Sequence, residues 1–434
     1  MTPTHHLHNA SLTPVALNDR VFRWYDHASL WFGLGVGLLV IQVGAYLVPA
    51  VGSLDAALAI VLGSVVGAGL LAWTARLGCS SGLSSAALMH ITYGSTFARL
   101  PVLLNMVQLV GWTTFELVIM REGTVAIGEQ SLGWSSHDIW SMMAATVLWG
   151  AVLMILLSVS MTQVVRKLIS RLALPLVVAS LLWLTWQFGT RLPSLAAFWE
   201  RTGDGSMGLL SAMDLVIAMP VSWLPLVADY ARYGKRGRST QSGTWLGYAL
   251  ANIWCYALGV LVVSVAQPGT NLVSALLLAQ GGLLALSLIL VDEIDNAYGD
   301  VYSGAVSGHS IHPGWSVRQW GLGLAGVCMV LALVLPMHSL EPFLLMLSSV
   351  FVPLYGVIWG RLGVMGISHD FSQTHQRPID WTAAALWMLG IAVYHGLANY
   401  APQWGSTLPT LALTFTLAWL TRSSERRLFA WAQG

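Results

Sequence analysis

The sequence predicts an all-α integral membrane protein of twelve transmembrane helices, and three observations carry that prediction. Charged residues make up only 9% of the 434, 20 Lys+Arg and 19 Asp+Glu, where a soluble domain carries roughly 25%. Hydrophobic residues make up 56%, more apolar side chain than one water-facing globule can bury. The apolar residues also gather into stretches of about 20, the length that crosses a bilayer as a helix.

In chain order the predicted spans are 28–50, 55–77, 99–120, 139–160, 172–190, 211–231, 242–266, 279–303, 319–337, 341–360, 381–400 and 404–421. None shows the ten-residue alternation of a membrane β-barrel. The first apolar run is too long for a signal peptide. Residues 1–27 then read as a cytoplasmic tail, 28–190 as a first five-helix repeat and 211–360 as a second. Two accessory helices fill 381–421, and 422–434 is a second cytoplasmic tail.

The positive-inside rule tests that count. With the amino terminus in the cytoplasm, seventeen of the 20 Lys and Arg fall inside, among them Arg166, Lys167, Arg171, Lys235, Arg236, Arg238, Arg426 and Arg427. Only Arg121, Arg191 and Arg201 fall outside. The expected location is therefore the cell (inner) membrane, with both termini cytoplasmic. A net charge of +1 gives no footprint for nucleic acid. Cys79, Cys255 and Cys328 stand far apart, so neither a disulfide framework nor a zinc site is implied.

Polar residues inside spans are costly and mark function. In the third span Gln108, Trp112 and Glu116 follow each other at helical spacing, with Asn105 just before them. One stripe thus presents an amide, an indole face and a carboxylate, although Gln and Asn also glue helices together. The eighth span carries Asp292, Glu293, Asp295, Asn296 and Asp300. Asp292, Asn296, Gly299, Asp300 and Ser303 share one face by 3.6-residue periodicity. The spans hold almost no Lys or Arg to pair with these acids, so an ion from solution, Na⁺ or H⁺, is the natural partner. The other reading places Asp292 and Glu293, hydrated, in a cytoplasmic vestibule.

Two spans look breakable. The first contains Gly33-Leu34-Gly35-Val36-Gly37 and the sixth Met219-Pro220-Val221-Ser222-Trp223-Leu224-Pro225. Each Pro removes a backbone donor, which a membrane tolerates only where the freed groups face protein or a wet cavity. These are the first helices of two five-helix units, and such a pair points to an inverted-repeat transporter with its site at the midplane. The two halves show no residue-level similarity. The run Asp229-Tyr230-Ala231-Arg232-Tyr233 reads chiefly as a headgroup anchor, with a gating or helix-end role for Asp229 and Arg232 as the other reading. Trp315, Trp320, Trp359, Trp381 and Trp404 read as interfacial belt residues.

Several of these runs resemble the nucleobase–cation symporter family. They are Trp31-Phe32-Gly33, Gln108-Leu109-Val110-Gly111-Trp112 and Ser222-Trp223-Leu224-Pro225-Leu226-Val227-Ala228-Asp229-Tyr230-Ala231-Arg232-Tyr233. Asp300-Val301-Tyr302-Ser303-Gly304-Ala305-Val306-Ser307 is most similar to the hydroxymethylpyrimidine transporter branch. The resemblance covers residues from about 20 to 361. It implies a LeuT-like 5+5 inverted repeat plus two helices, the first and sixth broken. The implied activity is symport of a planar heterocycle by alternating access, in a protein that is not an enzyme and has no cofactor beyond Na⁺ or H⁺ as coupling ion. By the same resemblance Trp112 and Trp223 sandwich the ring, with Gln108, Glu116 and Ser222 around it. Asn296 or Asp300 completes the ring contacts. A cation site would use backbone at Gly35 and Leu38 with side chains at Asp295 and Asn296. Neither is the Ser or Thr of the family pattern, so Na⁺ and H⁺ both stay open.

Elementary chemistry agrees with an aminopyrimidine: aromatic faces take the flat ring and polar side chains read its edge. A carboxylate accepts from an exocyclic amine, and a protonated carboxyl also donates to a ring nitrogen. The expected partners are thus a small planar heterocycle and the lipid bilayer, for a protein acting as a monomer. Cytosine, another nucleobase, hydantoin or a thiamine-like ligand is the alternative substrate. The remote alternative is an intramembrane Mg²⁺-dependent, prenyltransferase-like enzyme built on Asp292, Asp295 and Asp300. It needs a second acid cluster and basic residues, which the sequence does not supply. A receptor lacks its signalling domain, and a channel ring would need oligomeric symmetry.

Overall fold

The computed structural model describes residues 11–135, 138–165, 174–267, 270, 272–277, 279–335, 340–363 and 377–432, with side chains as far as Arg422. Arg166, Lys167 and Arg171, on which part of the charge count rests, lie outside the described residues, as do the side chains of Arg426 and Arg427. Among the described residues, eight helices are long and apolar enough to cross a bilayer, and the bent pair Trp24–Gly33 and Leu38–Ala50 makes a ninth crossing. Three further helices complete the predicted twelve: Leu174–Gly189, Gly282–Ile311 and Thr407–Ala432. The middle one is long enough, and its four acids are what set it apart from an ordinary apolar span.

Each predicted span has its helix, most ends being displaced by a few residues while the third, eighth and twelfth run on to Leu132, Ile311 and Ala432. The third runs Arg99–Leu132, roughly 50 Å at 1.5 Å per residue, and projects well beyond the hydrocarbon. The fourth starts where Asp138 accepts the backbone N–H groups of Trp140 and Ser141. These hydrogen bonds, and one from the Ser141 hydroxyl, hold the exposed Asp138 carboxyl below its ordinary range. Two short helices sit between spans: Ser85–Tyr93 between the second and third, and Leu272–Leu277 between the seventh and eighth. They occupy equivalent places five spans apart, as inverted repeats require.

Packing follows the same symmetry. The first span lies along the seventh, and the sixth along the second, so one four-helix layer takes two helices from each repeat. Glycines allow the close approach: a side chain at Gly247 would run into the Ala28 carbonyl, and one at Gly44 into the Tyr256 backbone. A second layer holds the third and eighth spans against each other, with the fourth and ninth beside them. The accessory helices fasten to the tenth span. Asp214 of the sixth also caps the twelfth by accepting the N–H groups of Ser406 and Thr407.

The first span breaks where its glycines are. Helix ends at Gly33, the chain turns through Leu34–Val36, Gly37 is extended, and the second half-helix starts at Leu38 after a 60° bend. The sixth is broken as well, but more mildly. It is interrupted only at Trp223, which keeps α-helical backbone (φ −84, ψ −11), so Leu209–Ser222 and Leu224–Ala231 form one crossing without an unwound stretch. Its two prolines are absorbed by local hydrogen bonds. Val216 O, the acceptor that Pro220 leaves free, takes the Tyr256 hydroxyl at 3.1 Å. Val221 O, the acceptor that Pro225 leaves free, takes the Trp223 N–H, and Met219 O takes the Ser222 hydroxyl at 2.7 Å.

Trp359 is not a belt residue. It is 1% exposed, stacked on Trp73 at 5.3 Å, and donates to the Thr74 hydroxyl. Trp315, Trp381 and Trp404 are exposed, as expected of an interfacial belt.

Candidate functional site

The broken first span exposes two backbone groups that need partners, and the eighth span supplies both. Asn296 Nδ2 donates to Val36 O at 3.0 Å, and Glu293 accepts the N–H of Leu38. Asn296 Nδ2 lies 3.4 Å from the other Glu293 oxygen. Gly37 makes room for this: a Cβ there would stand 2.9 Å from Glu293 Oε1 and 3.2 Å from Asn296 Nδ2. The carboxylate thus sits at the positive end of the half-helix Leu38–Ala50, where the dipole favours an anion.

Around this junction four spans enclose a small cavity of about 20 Å³, room for a single water. Leu34, Gly37, Leu39 and Val40 come from the first span, Trp112 and Glu116 from the third, Met219, Ser222 and Trp223 from the sixth, and Glu293 and Asn296 from the eighth. Trp112 is 5% and Trp223 7% exposed. Each indole is braced from behind, Trp112 edge-on by Phe343 at 5.2 Å and Trp223 edge-on by Trp31 at 6.1 Å. Glu116 Oε2, Trp112 Nε1 and Asn296 Oδ1 are buried and have no hydrogen-bond partner in the protein. Leaving such groups unpaired is expensive, and their common position at the cavity marks it as a place for a polar ligand. In this conformation the cavity is too small for a ring, so entry requires its walls to separate.

The cavity lies between two larger ones. One, of about 520 Å³, shares Leu39 with it and is lined by Gln42, Phe115, Arg121, Glu122 and Glu129. The other, of about 690 Å³, opens on the opposite face between the segment 11–21 and Arg232, Tyr233 and Tyr302. That segment is tied down by Val15 N to Gly82 O, Phe22 N to Tyr233 O and Arg20 to Cys79 O. Gly299, Leu34, Trp223 and Tyr230 meet between the central cavity and the second one, with the Tyr230 hydroxyl donating to Gly299 O at 3.3 Å.

Of the residues singled out from sequence, Trp112, Glu116, Ser222, Trp223 and Asn296 converge on the cavity. Gln108 does not line it. Its Nε2 donates to Ser222 O at 3.0 Å and to Asn105 Oδ1 at 2.9 Å, while Asn105 donates to Pro225 O at 3.2 Å. These two amides mend the carbonyls around the interruption of the sixth span. Asp300 also stands outside the cavity, 1% exposed, with neither oxygen hydrogen-bonded and within electrostatic reach of Glu116. Gly35 faces Ala251 and Tyr248 of the seventh span. Leu38 donates its N–H to Glu293.

Asp295 is 2% exposed and lies near Asp292. Asp292 Oδ2, Asp295 Oδ2 and Asn296 Oδ1 all lack partners. These are oxygen donors of the kind that suits a hard cation such as Na⁺. No group of three or more His, Cys, Asp or Glu with metal-holding geometry exists among the described residues.

Two site residues escaped the sequence reading. Glu293 was read as one of the eighth-span acids, with a hydrated vestibule as the other reading, and was not placed on the inward face, yet it is 1% exposed and faces the cavity. Its spacing of three from Asn296 was the available signal. Phe343, the brace of Trp112, belongs to the tenth span and carried no signal at all. Asp229 and Arg232 are buried, 1% and 5% exposed, rather than set among headgroups. Asp229 accepts the Ser85 N–H at 3.0 Å and the Ser303 hydroxyl at 2.5 Å, which ties the sixth span to the eighth and to the short helix Ser85–Tyr93.

A first helix broken at its midpoint, two interlocked five-helix units and a small cavity between opposed vestibules define a secondary-transporter architecture, the LeuT-like inverted repeat. Residues 14–421 match the family model described as permease for cytosine/purines, uracil, thiamine, allantoin, and the chain belongs to that family. No curated protein matches the sequence. Among solved structures it is similar to Mhp1, a nucleobase-cation-symport-1 family transporter, in a closed conformation with bromovinylhydantoin bound. The TM-score is 0.80 at 16% identity, covering 98% of this chain and 96% of that chain. The inward-facing conformation of Mhp1 gives a TM-score of 0.78 at 16% identity, over 98% and 94%. A Na⁺-coupled sialic acid symporter in its substrate-bound outward-open state gives 0.63 at 11% identity, over 95% and 91%. At these identities the likeness is one of fold.

Proposed function

We propose that this permease takes up a small planar pyrimidine by cation-coupled alternating access, and that its substrate is the thiamine precursor 4-amino-5-hydroxymethyl-2-methylpyrimidine. The observation that carries the reading is the convergence of Trp112, Trp223 and Glu116 on one small cavity between two opposed vestibules. Indole faces take the ring. Glu116, four residues after Trp112 on the same helix face, accepts from the exocyclic amine. The bound bromovinylhydantoin of Mhp1 supports a flat heterocycle as the class of ligand.

The coupling ion is Na⁺ or H⁺, held near Asp295 and Asn296, and it works by shifting the preference between the two facings. The protein acts as a monomer in the cell membrane, with both termini cytoplasmic. It performs no covalent chemistry.

Purified protein in detergent, titrated with the hydroxymethyl aminopyrimidine, thiamine, cytosine, uracil and hydantoin with and without Na⁺, tests this by thermal shift, since a ligand that binds only the folded state stabilises it. Selective stabilisation by the hydroxymethyl aminopyrimidine is the expected result. Stabilisation by cytosine or hydantoin instead keeps the permease and discards the substrate.

A further inference from the structure

The polar groups of the cavity are unevenly matched, and the mismatch specifies a ligand. Glu293 is already occupied: one oxygen takes Leu38 N–H at the start of a half-helix, and the other lies near Asn296 Nδ2. An anionic ligand group would seek that same helix end, and the protein's own carboxylate fills it. Glu116, on the facing span, has no such partner, and no Lys, Arg or His lines the cavity. Behind it Asp300 adds a second carboxyl without a hydrogen-bond partner. Asn296 Oδ1 is one more buried acceptor left open toward the same space. Acceptor oxygens therefore outnumber the one unpaired donor there, Trp112 Nε1, no cationic side chain stands among them, and two indoles, Trp112 and Trp223, line the cavity beside them. Aromatic faces beside carboxyl groups that have no cationic side chain to pair with form an environment suited to an organic cation.

We propose that the site binds its heterocycle as a ring-protonated cation carrying an amidine-type edge, an exocyclic amine beside a protonated ring nitrogen, and excludes rings that bear an anionic group. This rests on the permease reading above and narrows it. Both N–H groups of the edge point at the Glu116 carboxylate, a charge-assisted, two-pronged contact. Glu293 acts as the specificity residue against anions. A dioxo ring such as uracil offers mainly carbonyl oxygens to a cavity already rich in acceptors, and leaves Glu116 unpaired.

The test is a dissociation-constant series at one fixed pH and salt on purified protein: 4-aminopyrimidine, the more basic 2-aminopyridine with the same edge, uracil, and uracil bearing a ring carboxylate. Affinity is expected to rise with ring basicity, and 2-aminopyridine to bind at least about tenfold more tightly than uracil, as a charge-assisted pair predicts. The carboxylate-bearing ring is expected not to bind. Glu116→Gln keeps the shape of the side chain and should reduce the preference for 2-aminopyridine over uracil by about tenfold. Glu293→Gln, whose amide oxygen still accepts Leu38 N–H, should narrow the gap between uracil and its carboxylate derivative. Equal binding of uracil and the aminoheterocycles overturns the cationic ligand while leaving a heterocycle permease in place. If none of these rings binds but an unrelated solute does, the permease reading itself is lost.

Discussion

Glu293 of the eighth span caps the half-helix that begins at Leu38 of the first, so a carboxylate in one layer of the fold holds the bend of a helix in the other. Removing it should be felt in stability. Glu293→Ala leaves the Leu38 N–H without its acceptor, at a cost of about 1–3 kcal/mol, whereas Glu293→Gln retains an acceptor oxygen and should lose much less. Unfolding of the purified variants in detergent measures the difference. Equal stability of the two would show that the cap contributes nothing.

Gly37 is extended, with φ 165, so a larger residue there suffers no backbone strain. Its constraint is the approach of Glu293 and Asn296, 2.9 and 3.2 Å from where a Cβ would stand. Gly37→Ala should therefore push these side chains back and lower uptake at unchanged expression. Shortening the opposing residue in the double variant Gly37→Ala/Glu293→Asp should recover part of the loss. A double variant no better than the single one would place the fault in the backbone.

Trp223 and Trp112 are proposed as the two faces of the ring site, and the comparison that matters is Phe against Ala. Aromatic pairing is worth about 0.5–1.5 kcal/mol beyond the area it buries. Trp223→Phe should weaken ligand binding several-fold at most, and Trp223→Ala by roughly tenfold or more. The same order is expected at Trp112, where loss of the indole also frees Phe343. Titration of the variants with the hydroxymethyl aminopyrimidine reads this directly, and an Ala variant that binds as tightly as Phe would remove that tryptophan from the site.

Much of this was legible because the bilayer enforces it. Span positions follow from apolar length, and the first-span break from Gly33, Gly35 and Gly37, although Gly35 also serves close packing against Ala251 of the seventh span. The convergence of Trp112, Glu116, Ser222, Trp223 and Asn296 followed from spacing joined to a family resemblance. Where the reading missed, the cause is tertiary. Two prolines in the sixth span argued for an unwound helix, but the Tyr256 hydroxyl takes Val216 O and the Trp223 N–H takes Val221 O, and the backbone stays helical. The choice of Asp292 over Glu293 as the inward acid turned on about 100° of helix rotation, which periodicity alone cannot fix among consecutive acids. Phe343 and Asp214 act across sequence gaps that no local pattern spans.

Gln108 separates a ligand contact from a structural one. Its amide donates to Ser222 O and Asn105 Oδ1 and does not reach the cavity. Gln108→Leu, similar in bulk but without a donor, should leave Ser222 O without that bond and cost about 1–3 kcal/mol of stability. The bond joins the third span to the interruption at Trp223, so the loss should also slow uptake by loosening the indole's placement. Preference among heterocycles should not change, because no edge-reading group has been removed. Unfolding and a ligand panel on the same preparation separate the outcomes. Lower stability with an unchanged order of ligands assigns Gln108 to the helix junction, and a changed order with full stability would return it to the substrate.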